Sequence, residues 1–253
     1  MATKSSAEIS IMEVKRTQMT FCILGTTPII HNCMSAKARQ ELLLPAPKKN
    51  AAEKASSLKH NPLEEFRNSP YKYRDVQDTL VYILPTAFKN AMMSAALDMP
   101  GVNKTQIKRL VYVHGQGISI FGVPQLLMAV TRSADIKRTP DVRSRAIMPE
   151  WACRLTVEFS PDLIKEKSII NLLSAGGIFS GVGDWRQERG SGNFGSFEIV
   201  SEDNPDFVRI TETMGRDAQI EALEKPKCFD IETEDLYAWY GTEADKRGLK
   251  VAA

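Results

Sequence analysis

Cysteine is scarce in this sequence, with four residues among 253, at positions 22, 33, 153 and 228. No two stand in a C-x-x-C spacing, and three histidines are too few for a zinc-finger pattern, so neither a redox dithiol nor a zinc site is written here. Such sparing use of thiols is the expectation for a reducing cytoplasm. Long apolar runs are missing as well. The longest, Leu126 to Val130, is far too short to span a bilayer, and the N-terminal sixteen residues lack the unbroken apolar stretch of a secretion signal. The reading is a cytoplasmic protein without a membrane partner. Fixed-period repeats and low-complexity segments are also missing, which excludes solenoids and propellers.

What is there suffices for a sizeable core, since 43% of the residues are apolar. The formal net charge of +2 hides a division along the chain. Residues 1–197 carry 26 Lys and Arg against 17 Asp and Glu, whereas residues 198–253 carry 7 against 14. A basic body followed by an acidic C-terminal region, 201–253, is an arrangement found in nucleic-acid binders, and also in ordinary soluble proteins.

In order, MTFCILG and TTPII read as a buried first strand ending near Pro28, and Ser35 opens a short helix. Residues 45–74, with four prolines and clustered lysines, read as an insert carrying Lys48, Lys49 and Lys54. A strand at 80–84 leads through Pro85 into a helix, and two short strands around Gly115 and Gly117 give a hairpin signal. Residues 131–150 show no apolar period and carry Arg138, Arg143 and Arg145, which suggests a second, arm-like insert. Then Leu155, Val157 and Phe159 alternate with polar residues as a half-buried strand does. Ser160 and Pro161 are placed to cap the helix that follows, and Ser196 to Val200 closes the unit as a strand. FVRITE, at 207–212, reads as an edge strand, and Tyr237, Trp239 and Tyr240 are candidate anchors for the C-terminus.

Between that helix and that strand lies GGIFSGVGDWRQERGSGNFGSF, residues 176–197, which holds seven of the fifteen glycines. Glycine pays a large entropic cost on ordering, so this density marks a backbone that must bend or approach something closely. Gly190, Gly192 and Gly195 spell G-x-G-x-x-G, but a helix precedes and a strand follows, the reverse of a dinucleotide fold. A phosphate-binding P-loop would need a Lys after its last glycine, and Ser196 stands there. No cofactor or metal is expected. The remaining chemistry is that of a loop with two arginines, Arg186 and Arg189, and two rings, Trp185 and Phe194. Arginines pair phosphates and rings stack on bases. A packing loop with Trp185 plugging the core is the alternative.

The run GVGDWRQERGSGNFGSFEI, behind its strand and helix, resembles the glycine-rich loop of the RAMP superfamily, the RNA-binding proteins that form backbone subunits of CRISPR effector complexes. RTPDVRSRAIMPEW, continuing through SPDLI, also resembles a widespread family of uncharacterised proteins encoded in bacteriophages. The resemblance covers residues 138–200 and, more loosely, Thr27 to Ile30 and the helix from Thr86. It implies an α+β fold over residues 1–253: a ferredoxin-like, RNA-recognition-type antiparallel sheet with helices on one face. The inserts at 45–74 and 131–150 would be its long arms, and copies would stack along a single strand as a helix or ring. RAMP subunits that cut RNA carry a catalytic aspartate after the first strand, whereas residues 30–40 hold no carboxylate and only His31 could act as a base.

The function expected is therefore non-catalytic binding of single-stranded RNA or DNA by a homo-oligomer. Its contacts would be Trp185, Arg186, Arg189, Gly190, Gly192, Phe194 and Gly195 on the loop, Arg138, Arg143 and Arg145 on one arm, and Lys48, Lys49 and Lys54 on the other. Two alternatives stand beside it: a RAMP-type ribonuclease, and a phage interaction protein acting on host CRISPR complexes or in virion assembly.

Overall fold

The computed structural model describes residues 13–44, 60–132, 140–188 and 192–248. Lys48, Lys49, Lys54, Arg138, Arg189 and Gly190 lie outside them.

The chain is α+β, built on an antiparallel sheet. Strand β1 (Thr17–Gly25) lies between β9 (Ala152–Phe159) and β10 (Phe197–Val200), and β5 (Val111–Val113) and β6 (Ile118–Phe121) pair with the far side of β9. Helices α3 (Pro85–Ala95) and α5 (Glu166–Phe179) make the two crossovers. The order β10-β1-β9-β5/β6 with those crossovers is the ferredoxin-like arrangement. Alternation drives it. Phe21 and Ile23 of β1, with Leu155, Val157 and Phe159 of β9, face α3 and α5 and form the main core. Within that core Phe88 meets Phe197 edge to face at 5.3 Å. The sheet continues beyond β6 through β4 (Val81–Ile83) and β3 (Tyr71–Lys72).

A second sheet, β2-β8-β7, joins β2 (Ile29–Ile30), β7 (Gln125–Arg132) and β8 (Pro140–Met148). One face packs on α2 (Pro62–Asn68) and α8 (Ile231–Lys246) through Leu63, Phe66, Leu126, Met128 and Tyr237. The other holds Ile30, Leu127 and Ile147. The short helix α1 (Ala36–Leu43) follows β2, with Ser35 as its cap, and α4 (Lys104–Leu110) leads into β5.

Four local readings change. Residues 111–121 do not form a hairpin, because β5 and β6 both pair with β9, end to end, as one interrupted strand. Within the arm at 131–150, residues 140–148 are strand, since β8 pairs with β7 along its length and its inward residues Ser144, Ala146 and Met148 alternate with Arg143 and Arg145. FVRITE belongs to helix α6 (Pro205–Thr213), where Asn204 caps the N–H groups of Asp206 and Phe207. Six residues suit a period of 2 or of 3.6 equally, and the cap decides. Finally, Ser160 caps nothing: α5 starts at Glu166, behind Lys165.

Helix α6 also adds to the expected layering. Phe207 and Ile210 pack on Cys22, Leu24, Ala152 and Val200, the side of the sheet turned away from α3 and α5. Arg154 lies over the Phe207 ring at 5.1 Å. Behind α6, α7 (Arg216–Glu224) sends Gln219 into the sheet, where its amide bonds Leu80 N, Val81 N, Ile120 O and Gly122 O. The described part of the acidic C-terminal region thus folds as helices on the body.

Candidate nucleic-acid interface

Seven glycines bunch in the sequence for two different reasons. Gly176 and Gly177 are inside α5, where a Cβ on Gly176 would come within 3.1 Å of the Ala91 backbone and one on Gly177 would strike Phe197. They serve close packing. The loop proper begins at Gly181 and is stitched to the segment after β1. Asp184 N–H donates to Ile30 O at 2.9 Å, Gly195 N–H to Pro28 O at 2.8 Å, and Ser196 N–H to Thr27 Oγ1 at 2.9 Å. Gly183 (φ 86°) holds left-handed backbone against Ile29 and Ile30, and Gly195 (φ 74°) against the Val182 carbonyl, where a side chain would be both strained and obstructed.

Trp185 takes the same left-handed conformation, φ 53°, and is the sole non-glycine to do so among the described residues. A bulky residue seldom pays for this region. The residue is 36% exposed, and its ring lies 6.0 Å from Phe194, centroid to centroid. The two rings differ in duty. Phe194 is partly buried on Ile30, Leu127 and Ile147 and pins the loop to the second sheet, while Trp185 faces outward. The core tryptophan is Trp151, fully buried and bonded through Nε1 to Thr27 O at 2.8 Å. Gly192 lies beneath Trp185, and a Cβ there would run into the Trp185 carbonyl.

The arginines also divide. Arg186 bonds Gly183 O at 2.9 Å and Glu188 at 3.1 Å, which turns it inward to brace the loop. Burial pushes the Glu188 carboxyl up, but hydrogen bonds from Ser94, Arg186 and Ser180 outweigh it and hold the group below the usual range. Arg145 is ion-paired with Asp184. Arg143, two residues along the same face of β8, is exposed and makes no ion pair among the described residues.

Two clefts adjoin this row and share Asn32. One, about 310 Å³, is walled by His31, Tyr71, Asn90, Asp184 and Arg186, and the other, about 540 Å³, by Ser35, His60, Asn68, Arg143 and Arg145. His60 stands between Glu65 Oε1 at 2.7 Å and Asp141 Oδ1 at 3.0 Å, which ties α2 to the outer end of β8. His31 is buried, 3.4 Å from Met148 Sδ, and burial pushes its imidazole down to about 4. Asn32, His60 and Asp184 were absent from the sequence reading. Each gains its place from residues far along the chain, and local pattern carries no trace of that. Among the described residues, no group of three His, Cys, Asp or Glu is placed to hold a metal ion, and no helix is long and apolar enough to cross a membrane.

No family model and no curated protein matches the sequence. Solved structures do match. One is a chain of the type III-B Cmr-beta complex bound to cognate target RNA, determined by cryo-EM, to which this chain is similar with a TM-score of 0.38 and 14% identity over 74% of its residues. The match covers 60% of that chain, so this protein spans less than two thirds of its length.

Proposed function

We propose that this protein binds a single strand of nucleic acid without cutting it, along the face running from Trp185 past the Arg145–Asp184 pair to Arg143, and that copies assemble along the strand. One observation carries the reading: Trp185 is held exposed in a backbone conformation that costs free energy, next to a ring that fixes its position. A tryptophan that merely filled space would be buried and relaxed. An exposed, pre-positioned indole is a platform on which any base can stack, and stacking of this kind contributes about 1–3 kcal/mol per base. Arg143, uncompensated on the same face, supplies a cation for the phosphates.

The cutting alternative finds little support in His31. Burial pushes its imidazole down to about 4, which makes it a weak base, and its Nε2 is turned onto the Met148 thioether. Both ring nitrogens of His60 are engaged by carboxylates.

Fluorescence anisotropy with labelled RNA and DNA 30-mers, read at two salt concentrations, tests the proposal. Binding that weakens steeply with salt and drops on Trp185→Ala supports it, with light scattering of the loaded sample reporting assembly. Affinity that ignores both salt and Trp185 refutes it.

A further inference from the structure

At the end of the main sheet remote from the glycine loop, a cavity of about 240 Å³ opens between the start of β1, the end of β9 and the helices α3 and α4. Thr17 pairs with Phe159 there, whereas Leu24 pairs with Ala152 at the loop end, so strand length separates the two places by roughly 25 Å. The walls include Arg16, Lys89, Arg109, Tyr112, Glu158 and Ser160.

Three groups in these walls have no partner among the described residues. Ser160 is 6% exposed, and its Oγ has no hydrogen-bond partner. Its carbonyl is occupied by Leu163 N–H and Ile164 N–H, and the hydroxyl is not used as a helix cap. A buried hydroxyl left unpaired is costly, and native structures retain few. Lys89 is half-buried, and neither it nor Arg109 makes an ion pair or side-chain hydrogen bond among the described residues. The acid in the lining does not serve them. Glu158 Oε1 accepts from Arg16 at 2.8 Å, and Oε2 lies 3.2 Å from Gln18 Nε2 and 2.9 Å from His114 Nε2. Once Arg16 and Glu158 are paired, the cavity is left with two free cations and one free hydroxyl.

We infer that this cavity is a phosphomonoester site, with Lys89 and Arg109 pairing the phosphate oxygens and Ser160 Oγ, closed off from solvent in the empty cavity, turning about χ1 to donate to one of them. A monoester carries close to two negative charges at neutral pH, which matches the two free cations, whereas a diester within a strand carries one. Tyr112, 53% exposed and with its ring set edge-on to His114 at 5.0 Å, borders the cavity as a surface for whatever bears the phosphate. The bearer is a mononucleotide or the 5′-phosphorylated end of a strand. The site is independent of the strand-binding face.

The test uses the full chain, with thermal unfolding and calorimetric titration at fixed ionic strength. AMP and inorganic phosphate are expected to raise the unfolding temperature and to bind at least tenfold more tightly than dimethyl phosphate, a diester. Lys89→Gln should remove that response. Ser160→Ala should unfold no earlier than the natural protein in the absence of phosphate, yet lose most of the phosphate-induced shift, a pattern that a packing role does not produce. Trp185→Ala should leave AMP binding intact, so failure of one site is distinguishable from failure of the other. A tenfold preference for 5′-phosphorylated over 5′-hydroxyl oligonucleotides, lost in Lys89→Gln, assigns the phosphate to a strand end. Equal affinity for both oligonucleotides, with AMP still bound, assigns it to a free nucleotide. The inference falls if AMP binds no better than dimethyl phosphate, or if Lys89→Gln and Ser160→Ala keep the full response.

Discussion

The Arg145 guanidinium is paired with the Asp184 carboxylate, and that pair ties the β7–β8 hairpin to the glycine loop. Their side chains are only 13% and 29% exposed, so either charge left alone would be poorly solvated. Arg145→Ala and Asp184→Ala should each destabilise the protein by about 1–3 kcal/mol, with the double variant less destabilised than the sum. Chemical denaturation of all four proteins measures the coupling. Additive losses would mean that the pair does not link hairpin and loop.

Arg143, Arg145 and Arg186 have different expected phenotypes despite their common chemistry. Arg143→Ala should leave the unfolding temperature unchanged, weaken strand binding and lower the salt slope by about one phosphate contact. Arg186→Ala should act first on stability, because it frees Glu188 and the Gly183 carbonyl. Parallel melting and binding curves separate the two.

Trp185 can be tested in both directions. Trp185→Gly relieves a left-handed residue and should match or exceed the natural stability by up to about 1 kcal/mol, while strand affinity falls about tenfold or more. Loss of stability together with affinity would return Trp185 to a packing role.

Gln219 bonds four backbone groups across β4 and β6 from a fully buried position. Gln219→Ala should cost about 2–4 kcal/mol, and Gln219→Glu more at neutral pH, because a carboxylate repels the two carbonyls that the amide now serves. Urea midpoints report both values. A neutral effect would show that the amide is dispensable to the sheet.

His31 makes stability depend on pH. Its folded pKa of about 4 lies below the unfolded value of 6.5, so the unfolded chain takes up the proton first. The contribution is complete above pH 6.5 and is lost as pH falls towards 4, about 3 kcal/mol in all. His31→Leu should flatten the curve by that amount between pH 7 and 4, and the difference between the two proteins isolates it from the carboxylates. Curves that stay parallel would place His31 in contact with water.

The strand–helix–strand unit was legible because Leu155, Val157 and Phe159 alternate without interruption and apolar positions then recur along α5. Residues 207–212 were not, since six residues fit either period and the Asn204 cap settles them. Which side chains of the loop and of β8 face solvent was not legible. Trp185 and Arg143 are exposed, whereas Phe194, Arg145 and Arg186 are engaged with neighbouring residues.

Alternating and helical periodicity and turn residues suffice by themselves for the central strands and the position of a bent, arginine-bearing loop, because each is encoded among near neighbours, whereas the α+β class was what the resemblance implied. Which arginine is free and which is paired, which ring anchors and which faces solvent, and which buried hydroxyl lacks a partner were decided only on folding. Asp184 meets Arg145, and Lys89 shares a cavity with Ser160, through sheet register and crossover geometry. Charge pairing and burial depend on distances in space, and those distances exist only once the sheets have closed.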